Sequence, residues 1–145
     1  MCPTTRFPIA IPLSNISAKK IIENLLKVFT LLGFPKELQC DRGTNFKSDV
    51  FQSVLKELNI KHSFSSAYHP QSQGMLERSH QTLKSLLGKY VLESEKDWDD
   101  SIDLLLFVMR SVPNESTGVT PFEMLFGRRA RNILKIVKET LIGEV

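Results

Sequence analysis

Between Ala18 and Leu32 the apolar side chains fall at Ile21, Ile22, Leu25, Leu26, Phe29 and Leu32, the spacing of one helical face. Ser17 stands where an N-cap is needed, and Gly33 followed by Pro35 ends the pattern. The same logic predicts a second helix carrying Phe51, Val54, Leu55 and Leu58, capped by Ser48 or Asp49. A long helix is expected from Met75 to Leu92 with Leu76, Leu83, Leu87 and Tyr90 as its buried stripe. Another runs from Trp98, read as a core anchor, to Val112, and a short one covers Pro121–Phe126 behind the capping Thr120. Glu37–Cys40 and Lys61–Ser66 read as strands. Phe7–Leu13, broken by Pro8 and Pro12, reads as an edge strand or a strand end. Ala67–Gly74 (AYHPQSQG) reads as a mobile polar loop. Strands alternating with helices predict an α/β domain whose central sheet is covered by helices.

Composition narrows this picture without redirecting it. The 145 residues suffice for one domain, and 41% hydrophobic with 24% charged residues is the balance of a folded globular chain, which argues against disorder or a rod. The strongest apolar run, Leu104–Met109, is far short of the ~20 residues of a membrane span, and the first residues do not form a signal peptide. A formal charge of +3 is too mild to imply a nucleic-acid partner by itself. Residues 1–74 carry 9 basic and 5 acidic side chains, a balance of +4, and residues 75–145 carry 10 and 11, a balance of −1. Two cysteines without a Cys-x-x-Cys pair exclude a disulfide scaffold and argue against a structural zinc site.

The candidate chemistry lies in two carboxylates. Asp41 follows a predicted strand, the end at which α/β sheets place ligands. Glu77 falls in the first turn of the predicted long helix, 35 residues intervening, and shares a face with Gln81 and Lys84. Hard oxygen donors of this kind suit Mg²⁺, and a pair of such ions can clamp the attacking and leaving oxygens of a phosphoryl transfer.

Three segments in order, CDRGTNF at 40–46, SAYHPQSQGMLER at 66–78 and TGVTPFEMLFGR at 117–128, closely resemble the catalytic core of retroviral and Ty3/Gypsy-type retrotransposon integrases. The resemblance covers nearly the whole chain. It implies an RNase H-like fold, with a central mixed sheet flanked by helices, and a metal-dependent polynucleotidyl transferase that trims and joins DNA 3′ ends. Asp41 and Glu77 match the second and third acids of the family's Asp, Asp-35-Glu signature and so would hold Mg²⁺ or Mn²⁺. Asn45, Tyr68, Gln73 and Lys84 match family positions near DNA, where an amide, a phenol and an ammonium serve as hydrogen-bonding, stacking and phosphate-contacting groups. DNA (element ends and target), a homodimer, nuclear location and no membrane association follow as expectations from the same resemblance.

One position departs from the family pattern. Counting back from Thr5-Arg6-Phe7 puts Cys2 in the slot of the first acid, and no Asp or Glu precedes Glu23. A thiolate is a soft ligand and a poor partner for Mg²⁺. The core is therefore expected over 1–127 with its opening strand missing, and a basic helical extension over 128–145 starting at Arg128, Arg129 and Arg131. Two readings stay open on the sequence: a DNA-joining enzyme, or a decayed or domesticated domain that binds nucleic acid or protein without chemistry.

Overall fold

The structure, a computed structural model, describes residues 1–65, 70–94 and 98–131, with the backbone alone at 70–73 and 91–94. Its elements in order are α1 (Ala18–Leu32), β1 (Glu37–Cys40), α2 (Thr44–Lys47), α3 (Asp49–Glu57), β2 (Lys61–Phe64), α4 (Pro70–Ser94), α5 (Trp98–Ser111) and α6 (Pro121–Phe126). The chain divides into two compact units: Ile11–Gly74, and Met1–Ala10 together with the described part of Met75–Val145.

The first unit is a β–α–β arrangement with α1 added. β1 and β2 pair in parallel, Glu37 opposite Lys61 through Cys40 opposite Phe64, and α2 and α3 form the crossover. Ser17 Oγ accepts from Lys20 N–H at 3.3 Å to start α1, and Gly33 at φ +98° donates its N–H to Phe29 O to end it. Ser48 caps α3 in the same way. The apolar faces of α1 and α3 then meet: Ile21, Phe29, Phe51, Leu55 and Ile60 form the core, and Leu38 and Cys40 of β1 pack against it. Phe51 is completely buried, with its ring edge-on to Phe46 and His62 at 5.3 and 5.4 Å.

In the second unit α5 supplies Ile102, Leu105 and Leu106 to the interior. Thr120 accepts from Glu123 N–H at 3.0 Å, Pro121 opens α6, and Gly127 in the left-handed region closes it. Phe7–Leu13 is not a strand. Pro8 and Pro12 remove ladder donors, and the segment is held instead by side chains. Phe7 is buried, edge-on to Phe126 at 5.9 Å and beneath the Arg110 guanidinium at 4.5 Å. Arg110 Nε and Nη2 both donate to Pro8 O, at 3.0 and 2.9 Å.

Three further expectations are corrected. Trp98 is 53% exposed and anchors no core, because α5 begins with it and burial starts only at Ser101. Leu76 is 41% exposed, so the stripe on α4 is partly covered only from Leu83 onward. α4 also begins at Pro70, so that 70–74 is helix and not loop: proline is pre-set for the first helical position and Gln-Ser-Gln does not oppose a helix. Arg128–Arg131 are irregular, and 132–145 lie outside the described residues.

Candidate active site

Asp41 leaves the C-terminal end of β1, and the backbone around it is closely fixed. Cys40 O accepts from both the N–H and the hydroxyl of Ser65, each at 2.8 Å, which ties the exit of β1 to the exit of β2. Asp41 Oδ1 accepts the Gly43 N–H at 2.9 Å, a turn closed by the carboxylate itself. A Cβ placed on Gly43 would stand 2.9 Å from that oxygen and 3.4 Å from the Phe46 ring, so a side chain there would displace the carboxylate although the backbone angles would admit one. No described residue engages Oδ2, and the side chain is exposed. Burial, with the Asp41 charge adding to it, pushes the neighbouring Cys40 thiol up to about 11.

Asn45 lies in α2, four residues beyond Asp41, half-buried, with its carbonyl accepting from Ser48 Oγ at 2.8 Å. Asp41 and Asn45 thus share the β1–α2 corner of the first unit. Glu77 and Lys84 are exposed on α4, seven residues apart and so on one face, in the second unit. Because α4 starts early, Glu77 sits about two turns into the helix rather than in its first turn. Gln73 belongs to the first turn of α4 by its backbone. Tyr68 lies outside the described residues. Cys2 is exposed in a turn in which its carbonyl accepts Arg6 N–H at 2.9 Å. Burial raises its thiol pKa, but the Thr5 hydroxyl and the N–H groups of Thr5 and Thr4 outweigh that and hold it below the ordinary value. Sequence reasoning missed Gly43 and Ser65 as supports of Asp41. The Asp-x-Gly spacing was the available signal for the first, while Ser65 carries none.

Residues 1–70 match the integrase core domain family. The chain is 32% identical over 129 residues to the retrovirus-related Pol polyprotein from transposon 412 of Drosophila melanogaster, a match over 88% of this chain and 10% of that protein. It is 39% identical over 122 residues to the Gag-Pol polyprotein of baboon endogenous virus, covering 83% of this chain and 7% of the relative. The chain belongs to the integrase core family. Its RNase H-like fold superposes on the HTLV-2 integrase catalytic core domain, solved in complex with magnesium in a dimeric form, with a TM-score of 0.62 at 28% identity over 76% of this chain and 70% of that one. The chain spans about a tenth or less of the length of these two Pol polyproteins.

Among the described residues no group of three or more His, Cys, Asp or Glu side chains is gathered as a metal centre. The carboxylates of Asp41 and Glu77, the acids the resemblance singles out, are hard oxygen donors of the kind a divalent ion takes. The Cys2 thiol does not suit one.

Proposed function

We propose that this integrase core belongs to a retrovirus- or retrotransposon-like Pol protein, binds DNA, and takes part in metal-dependent 3′-end processing and strand transfer. The observation that carries the reading is the Asp41 corner: a carboxylate at a strand exit, one oxygen held by Gly43 N–H and the other turned loose for a ligand, in a chain of integrase sequence. Asp41 and Glu77 would hold Mg²⁺ or Mn²⁺, which when bound supplies Lewis-acid charge to a phosphodiester. Lys84 is an exposed lysine that would meet a DNA phosphate, and Asn45 would offer an amide four residues on from Asp41. Gln73 and Tyr68 are assigned to DNA positioning on the sequence match alone. Element-end and target DNA as partners, a homodimer and nuclear location complete the proposal. In support of the homodimer, a structural relative is titled as a dimeric form; no helix among the described residues is long and apolar enough to cross a membrane.

The test is a DNA-joining assay in Mn²⁺ beside Glu77→Gln, in which product from the parent alone supports the assignment. Cys2, in the slot of the first acid, favours a second reading: DNA binding without chemistry. That reading expects salt-sensitive binding, because phosphate contacts release counterions, and no cleavage in either metal.

A further inference from the structure

The end of the two-stranded sheet opposite Asp41 carries a different kind of surface. Lys36 immediately precedes β1 and Lys61 opens β2, and the Lys61 N–H donates to Lys36 O at 3.0 Å, which sets the two lysines side by side. Lys56 comes from the last turn of α3, and Asn59, at φ +54°, turns the chain back toward β2. These four residues line a cleft of about 400 Å³ that has the buried Leu55 and Ile60 among its walls. The size is that of a small-ligand site, of about 300–1,000 Å³.

The charges in this cleft are unbalanced. Lys61 pairs with Glu37 at 3.3 Å, and Glu37 is held by the Ser63 hydroxyl at 2.7 Å. No described acidic side chain lies within ion-pair distance of Lys36 or Lys56. A helix C-terminus explains a lysine at position 56, and the cross-strand pair explains Lys61. Neither explains Lys36, nor the gathering of three lysines in the lining of one concavity. An oxyanion would supply the missing negative charge. Lysines and an exposed amide are phosphate-contacting groups.

We propose that the cleft formed by Lys36, Lys56, Asn59 and Lys61 is a phosphate-binding site, distinct from the Asp41 end of the sheet, that takes a backbone phosphate of DNA. The choice of DNA as the source of the phosphate rests on the DNA-binding reading above; the phosphate chemistry does not. Four strand residues at ~3.3 Å each place this site on the order of 13 Å from Asp41 along β1, so it would grip a DNA segment away from the reacting one.

The experiment compares the parent, Lys36→Gln/Lys56→Gln, and a charge-matched control on the exposed positions of α1, Lys19→Gln/Lys27→Gln. A labelled DNA duplex is titrated by fluorescence anisotropy over a salt series, and inorganic phosphate is titrated separately while the Asn59 side-chain amide is followed by NMR. The proposal expects the slope of log K against log salt to fall by about 0.9 for the one lost phosphate contact in the cleft variant and to hold in the control. It expects phosphate to shift the Asn59 amide in the parent and in the control, and not in the cleft variant. Equal slopes in both double variants overturn the DNA assignment. If the parent binds no duplex, the DNA reading itself fails; an Asn59 shift that the cleft variant loses then upholds a site for free phosphate. An Asn59 amide unmoved by phosphate, together with equal slopes or no duplex binding, overturns the site.

Discussion

Asp41 and Gly43 are mutually dependent: the carboxylate closes the turn by accepting Gly43 N–H at 2.9 Å, and the same oxygen occupies the space a side chain on Gly43 would need. Gly43→Ala has an allowed backbone at φ −55°, ψ 144°, so the fold survives and the carboxylate must move. Supporting groups of this kind change metal affinity about 10–100-fold. Mn²⁺ binding followed by EPR, with circular dichroism as the control, is expected to weaken by that order in Gly43→Ala; unchanged affinity would show that the turn does not position Asp41.

The two thiols differ in opposite directions. Cys2 lies below the ordinary thiol value and is exposed, while Cys40 is raised to about 11 and half-buried. Thiolate is the reacting form, so iodoacetamide at pH 8 alkylates Cys2 first, by roughly tenfold or more, as read by peptide mass spectrometry. Cys40 also gives stability a pH dependence. Its folded pKa is raised, so its contribution is complete below the ordinary 9.0 and is lost as pH rises from there through about 11. Cys40→Ala flattens that loss in a series of denaturant melts.

Core position, not hydrophobicity, decides the cost of an aromatic deletion. Phe51 has no exposed surface and Trp98 has 53%. Phe51→Ala is expected to cost about 3–5 kcal/mol, and Trp98→Ala about 0.5 kcal/mol or less. Urea denaturation of both variants checks the ordering, and comparable losses would contradict the burial pattern.

Arg110 is a structural arginine. Two of its donors meet Pro8 O, and its plane covers Phe7. Lysine keeps the charge but not the planar fork, so Arg110→Lys loses one donor and the stacking, at a cost of about 1–2 kcal/mol. A melting temperature equal to the parent's would sink this account of how the segment around Phe7 is held.

Helix positions were legible in the sequence wherever a cap and a period of 3.6 coincided. Ser17 with Gly33 and Thr120 with Pro121 mark helices that lie where the pattern puts them. β1 was legible as well, and with it the strand exit that carries Asp41. What failed depended on partners distant in sequence. Phe7–Leu13 has strand-like apolarity, but Arg110, 102 residues on from Pro8, satisfies its carbonyl in place of a neighbouring strand. Pro70 read as a loop residue because proline punctuates both loops and helix starts, and only the chain beyond it decides which. Of the residues proposed for chemistry or DNA, Asp41, Asn45, Glu77 and Lys84 were singled out by spacing and resemblance. The grip of Ser65 on Cys40 O was not, because a serine after a strand has no signature, and the lysine cleft joins residues of α3, β2 and the turns that precede β1 and β2.

The central claim is that Asp41 and Glu77 serve metal-dependent chemistry on DNA, and it is tested most directly with the first acid restored. In a Mn²⁺ disintegration assay, Cys2→Asp should release joined product above the parent's level, and Cys2→Asp/Glu77→Gln should release none. Absence of product from folded Cys2→Asp, or product that survives Glu77→Gln, would contradict the account.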